Sequence, residues 1–272
     1  MALPKNKTKV YSNKVLPGLS VLQASYTEQK FTQHSHETYS IGLILSGVNR
    51  FKHRGSFHYA TQNTLCAINP GELHTGETCT EEGWNYINIS PSEELLLNTQ
   101  RALGLSLKDK SIFFPNSIIA DNETAEVFLD FSQAISQTYS KLLIEQKWYQ
   151  LWKLLLTRHV QQLKNVHDQK LTPRHVKLAR EILDSTHKNI SLTELAMLCE
   201  VSAYHLARNF TLHVGLSPHA YHLQKRIEKA KSLIQSGVPL VEAAQVMDFA
   251  DQAHMTRYFT RHFGASPSQY RQ

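Results

Sequence analysis

The chain has 272 residues, enough for two compact domains, and 19% of them are charged. Its formal net charge of +6 and pI near 9.1 suit a negatively charged partner such as nucleic acid without requiring one. Cys66, Cys79 and Cys199, an odd and widely spaced set, speak against a disulfide scaffold or a zinc–thiolate cluster and for a reducing, cytoplasmic setting.

No apolar run follows Lys5, Lys7 and Lys9, so the amino end does not read as a signal peptide. From about Val21 to Ser90 short alternating runs are separated by turn residues. Tyr39, Ile41, Leu43 and Leu45 alternate up to Ser46-Gly47; runs at Phe51–Tyr59, Thr64–Ile68 and Trp84–Ile89 follow, with Asn69-Pro70-Gly71 as a turn. Such a succession predicts a small β-barrel or jelly roll.

Two amphipathic helices are expected next, over Glu123–Tyr139 and Lys141–Leu163. Phe128, Phe131 and Ile135 form one stripe, and Trp148, Leu151 and Leu155 another. The second is the most apolar later segment, but Glu145, Lys147, Lys153 and Arg158 interrupt it, so it does not read as a membrane span. The pair could join two subunits or cover the barrel within one chain. A polar stretch, 166–173, reads as a linker between a first domain over 1–165 and a second over 174–272, with Pro173 opening the next helix. The positive charge is concentrated in the back: residues 171–272 hold 12 Lys and Arg against 8 Asp and Glu, and the other 170 hold 17 against 15.

The last seventy residues contain one unit written twice. Leu206, Arg208, Phe210, Thr211, His213, Gly215, Ser217, Pro218 and Tyr221 recur 49 positions later as Met255, Arg257, Phe259, Thr260, His262, Gly264, Ser266, Pro267 and Tyr270. Upstream, Leu192, Glu194 and Ala196 match Leu240, Glu242 and Ala244 at a spacing of 48, so the second copy carries one extra residue in between. Each copy reads as a short helix, a tight turn and a second helix, over about 193–214 and 241–263. Ser202 and Asp251 stand at the start of the second helices, and Gly215 and Gly264 end them. Pro at the first helical position restarts the chain after Ser217 and Ser266. Two helices joined by a short turn form a helix-turn-helix, whose second helix enters the major groove of DNA.

Residues 174–271 resemble the DNA-binding domain of AraC-type transcriptional regulators. The resemblance is carried by Leu195-Ala196, Ser202, Leu206, Arg208, Phe210, Gly215, Ser217-Pro218 and Arg226, then by Ala244, Phe249, Asp251-Gln252, His254, Arg257, Phe259, Gly264, Ser266-Pro267 and Tyr270-Arg271. The chain departs from the family at Glu200 and Asp248, where each turn usually has Gly, and at Ala253 and Met255. The resemblance implies base-reading places at Tyr204, Ala207 and Arg208, and at Gln252, Ala253, His254, Thr256 and Arg257. Arg208 and Arg257 suit paired hydrogen bonds to guanine, and Gln252 suits adenine. Lys225, Arg226 and Arg261 are expected on phosphates, which position without specifying. Arg226 has a second reading, as an ion-pair partner inside the domain with Glu228 or Asp251.

The front half, over roughly 15–95, resembles the cupin-like effector domain of many AraC-type regulators through His34-Ser35-His36 and Pro70-Gly71-Glu72-Leu73-His74. An effector pocket is expected from His34, His36, Tyr39, Arg50, Glu72, His74, Trp84 and Tyr86, each with the alternative of being an ordinary surface or core residue. Metal-binding cupins carry a glutamate near the place of Ser40, so the set is read without a metal. The fold expected is α+β in two domains: a cupin-like β-barrel with a helical pair, then an all-α domain with two helix-turn-helix units. The function implied is a sequence-specific regulator, an activator in the first instance. Its partners would be double-stranded DNA, a small-molecule effector and RNA polymerase; it would be a cytoplasmic homodimer with no membrane association and no cofactor. The alternative is a cupin-type metalloenzyme or a DNA-modifying enzyme with an appended DNA-binding domain. The first lacks the carboxylate at Ser40, and the second lacks a reactive cysteine cluster.

Overall fold

A computed structural model describes residues 6–11, 15–105, 110–137, 140–164 and 172–271. The chain divides into two compact units, Met1–Val166 and His167–Gln272. The expected linker, 166–173, falls mostly outside the described residues.

The first unit is antiparallel β structure with helices. Its strands up to the first helix are β1 (Lys7–Tyr11), β2 (Leu19–Tyr26), β3 (Lys30–His34), β4 (Ser40–Gly47), β5 (Asn49–His53), β6 (Ser56–Ala60), β7 (Leu65–Ile68), β8 (His74–Thr78) and β9 (Trp84–Pro91). Helix α1 (Glu93–Ala102), strands β10 (Lys110–Phe113) and β11 (Ile118–Ile119), helices α2 (Asn122–Ser136) and α3 (Lys141–Arg158) and strand β12 (Gln161–Lys164) complete it. The strands form a six-stranded sheet, β1-β2-β9-β4-β7-β11, a four-stranded sheet, β3-β8-β5-β6, and the pair β10-β12.

Alternation along the central strands sorts their side chains onto two faces. Val21 and Ile41 both lie opposite Ile89, and Leu43 lies opposite Ile87. These residues share one core with Phe128, Phe131, Ile135, Trp148, Leu151, Trp152 and Leu155 of α2 and α3. Of the two readings of these stripes, the cover within one chain is the one realised: they close over the sheet of their own chain. Trp148 is fully buried and donates its indole N–H to Thr99 of α1 at 2.8 Å. The neighbouring register positions, Ser40, Gly42, Tyr86 and Asn88, point to the opposite face.

Two local departures from the sequence expectation and one close crossing shape this unit. The run Phe51–Tyr59 is a hairpin, β5–β6, because Arg54 (φ 50°) and Gly55 (φ 82°) make the two-residue turn with both φ positive that fits strand twist. The second long helix stops at Arg158, and 161–164 pair as a strand with β10. Tyr139, at the expected end of the first, lies outside the described residues. Gly47 and Gly83 carry one close crossing: a Cβ on Gly47 would stand 2.0 Å from the Gly83 carbonyl oxygen, and one on Gly83 would stand 1.9 Å from that of Tyr26.

The second unit is helical throughout: α4 (Arg174–Ser185), α5 (Leu192–Leu198), α6 (Ala203–Val214), α7 (Pro218–Gln235), α8 (Leu240–Val246), α9 (Gln252–Phe263) and a 3-10 turn, Pro267–Tyr270. The long helix α7 packs against α4 and α6 and against α8, α9 and the 3-10 turn. It thereby holds both helix-turn-helix pairs, α5–α6 and α8–α9, on one support. No described helix is long and apolar enough to cross a membrane.

Candidate DNA interface and effector pocket

The two recognition helices are built alike. Ser202 caps α6 by accepting the His205 N–H at 3.2 Å, and Asp251 caps α9 by accepting the His254 N–H at 2.6 Å. Leu206 and Phe210 face inward from α6, fully buried, and Met255 and Phe259 do the same from α9. Gly215 (φ 81°) and Gly264 (φ 71°) end both helices in the left-handed conformation.

The turns before them also match. Val201 donates to the Ala196 carbonyl at 3.1 Å and Phe249 to that of Ala244 at 2.9 Å; Glu200 (φ 56°) and Asp248 (φ 54°) are both left-handed. These pairs are 48 apart, whereas the capping residues Ser202 and Asp251 are 49 apart. The extra residue of the second copy is therefore Ala250, inserted between the turn and the cap.

With the apolar faces buried, Tyr204 and Arg208 of α6 and Gln252, Ala253 and Arg257 of α9 are exposed, and Ala207 and Thr256 are half-buried. No carboxylate among the described residues lies in ion-pair range of Arg208 or Arg257. Arg261 is exposed in the last turn of α9. His254 is half-buried, its ring edge-on to Phe249 and Tyr258 with centroids at 5.7 and 5.0 Å.

Two expected phosphate contacts need correction. Arg226 is buried and works inside the domain. Its Nε donates to the Met247 carbonyl at 2.7 Å, one Nη to Asn189 Oδ1 at 2.6 Å, and the other to the Asp248 carbonyl. The guanidinium also lies 4.4 Å from the Phe249 ring centroid. Two of these three partners are backbone oxygens of the second turn, which the end of an α-helix leaves unpaired, and none is the side chain of Glu228 or Asp251. Lys225 is mostly covered, with its ammonium 3.8 Å from Glu228 and 4.0 Å from Asp184. Asn189 was not legible beforehand: its N–H donates to Asp248 Oδ2 at 2.7 Å across 59 residues, outside the repeat spacing.

In the first unit, three of the eight expected pocket residues converge. The rings of His34, His36 and His74 lie with centroids 4.8, 4.3 and 5.1 Å apart. His34 and His74 are directly opposed on β3 and β8. Burial, with a contribution from His74, pushes the His34 imidazole down to about 3. Phe31 links this trio to Tyr26, which contacts Trp84 and Tyr86. Burial raises the Tyr86 phenol above its ordinary value. Ser40 donates its hydroxyl to Asn88 Oδ1 at 2.9 Å.

The other three expected pocket residues are elsewhere. Tyr39 lies in the helix-facing core, edge-on to Phe114, and donates its hydroxyl to the Ile112 carbonyl at 2.8 Å. Arg50 faces away from Phe51 and His53 and is bound to Glu77, opposite it on β8. Glu72 is a structural node. It accepts from Asn69 Nδ2 at 2.9 Å and Arg54 Nε at 2.9 Å, and lies 3.0 Å from Nε2 of the fully buried His53. Burial raises its carboxyl, but the hydrogen bonds from His53, Asn69 and Arg54 outweigh this and hold it down to about 2. The roles of His53 and Asn69 were not legible in the sequence, where Asn69 reads only as a turn residue, since both roles depend on strand pairing. Beside this node, His53, Arg54, His58 and the segment Pro115–Ile118 line an open groove of about 360 Å³.

Comparison with known proteins bears on both units. A family model described as AraC-like ligand binding domain matches residues 16–152, and one described as helix-turn-helix domain matches 195–272. The chain is 28% identical over 232 residues to YbfI of Bacillus subtilis, an uncharacterized HTH-type transcriptional regulator, covering 84% of this chain and 82% of the relative. It is 24% identical over 242 residues to LumQ of Photobacterium leiognathi, a probable transcriptional regulator, covering 88% and 91%. Among solved structures, ToxT from Vibrio cholerae O395 aligns over 97% of this chain and 96% of its own with a TM-score of 0.52 and 13% identity, a likeness of fold.

Proposed function

Because the chain belongs to the AraC family of transcriptional regulators, with a ligand-binding domain followed by a helix-turn-helix DNA-binding domain, we propose that α6 and α9 read two segments of one operator. The observation that carries this is the pair Arg208 and Arg257: exposed, at equivalent places of two like-built helices, and without a carboxylate partner among the described residues. Each guanidinium would grip a guanine, with Tyr204, Ala207, Gln252 and Thr256 beside them reading neighbouring bases and Arg261 on a phosphate. Entry into successive major grooves sets the two readings about 34 Å apart along the duplex. Arg208→Ala and Arg257→Ala should each weaken operator binding roughly 5- to 150-fold, about 1–3 kcal/mol, and leave binding to unrelated DNA nearly unchanged. Footprinting of both variants checks this, and a variant that keeps the wild-type sequence preference refutes the assigned role.

The effector is a small molecule held in the first unit. Its wall is formed by His34, His36 and His74 with Trp84 and Tyr86, extended by Phe31 and Tyr26. Homodimer formation, contact with RNA polymerase, activation and a cytoplasmic location complete the reading by family likeness. Measuring operator affinity and oligomeric state while candidate effectors are titrated tests the coupling; an affinity that no effector shifts marks a constitutive regulator.

A further inference from the structure

The histidine trio has a geometry that an effector wall does not by itself require. One potential ligand nitrogen from each of His34, His36 and His74 lies within 4.8 Å of the others. Two of the rings are oriented by backbone. His34 Nδ1 is 2.7 Å from the Thr32 carbonyl oxygen, and His74 Nδ1 is 3.1 Å from that of Glu72. A carbonyl accepts only, so each Nδ1 carries the proton and each Nε2 carries the lone pair. This is how metal-ligating histidines are held: the remote nitrogen donates to a carbonyl, which sets tautomer and ring direction. The supports are firm. His34 is buried at the end of β3, and His74, its register partner, begins β8.

We propose that His34, His36 and His74 together bind one divalent first-row transition-metal ion, zinc being the first candidate. Three imidazoles suit zinc, cobalt or nickel and disfavour magnesium or calcium, which require oxygen. Zinc–nitrogen bonds of about 2.0–2.1 Å in a tetrahedron put ligand nitrogens about 3.3–3.4 Å apart, so the rings close by up to about 1.4 Å on binding. Three protein ligands leave a fourth position for water or for a donor atom of an effector. Ser40 occupies the place where metal-binding cupins carry a carboxylate, but three ligands with one open position form a complete set of another kind.

The test uses the untagged full-length chain, stripped with a chelator. Titration with Zn²⁺ against a chromophoric competitor should give one tight site per chain. His34→Ala, His36→Ala and His74→Ala should each weaken that site more than tenfold, and His58→Ala, outside the cluster, should leave it unchanged. Should an alanine variant fail to fold, Co²⁺ loading of the wild type decides: intense visible bands of a low-symmetry nitrogen site support the proposal. A spectrum of hydrated cobalt alone, or zinc binding that survives all three substitutions in folded protein, overturns it. Neither readout involves DNA, so failure here leaves the regulator reading untouched, and loss of operator binding leaves this proposal untouched.

Discussion

Single residues carry two of the tightest constraints in the second unit. Glu200 adopts φ 56°, a region that costs a residue with a Cβ about 1–2 kcal/mol. Glycine removes that cost and gives back part of the gain as unfolded-chain entropy. Glu200→Gly should therefore stabilise the domain by about 0.5–1 kcal/mol, read as a higher denaturant midpoint; a lower midpoint would show that the Glu200 side chain contributes something else. Arg226 works in the other direction. Its removal leaves the Met247 carbonyl and Asn189 Oδ1 without this donor and the Asp248 carbonyl with only the long 3.4 Å contact from Asn189 Nδ2, and Arg226→Ala should cost on the order of 3 kcal/mol. Arg226→Lys should recover little, because one ammonium cannot reproduce a planar fork on three acceptors. Equilibrium unfolding of both variants separates this structural role from phosphate contact, which would change salt-dependent binding and spare stability.

At the scale of elements, the node around Glu72 joins the β5–β6 hairpin to the loop before β8 and to the Phe114 backbone, through Arg54 and Asn69. The Glu72 carboxyl is depressed in the folded state, to about 2 against 4.5 for an unperturbed group. A depressed carboxyl stabilises the fold fully above its unfolded value, and that contribution is lost as pH falls through the folded value. Glu72→Gln should be less stable than wild type by on the order of 2 kcal/mol at pH 7, with the gap closing between pH about 4.5 and 2. Urea midpoints at several pH values check it, and a gap that stays constant with pH would mean that shape, not charge, holds the node. The helical pair makes a related point. Its apolar stripes were visible in the spacing of Phe128, Phe131, Leu151 and Leu155, but a stripe does not name its partner; the sheet of the same chain supplies it.

At the scale of the whole molecule, two separately compact units divide the labour of sensing and reading. If Arg261 rests on a phosphate, Arg261→Ala should reduce the slope of log affinity against log salt by about 1 while leaving sequence preference intact. Binding isotherms at several salt concentrations measure both, and an unchanged slope would move Arg261 off the DNA. The duplicated helix-turn-helix, its caps at Ser202 and Asp251 and its glycine stops were determined by the sequence alone, because capping and termination act within four residues and leave a periodic trace. The α+β division and the two-domain order were legible for the same reason. Tertiary structure alone decided where Arg226 goes, that Tyr39, Arg50 and Glu72 leave the pocket, and that three histidines from β3, the following loop and β8 converge. Those outcomes depend on which strands pair and which faces meet, and such contacts bring together residues tens of positions apart that share no local pattern.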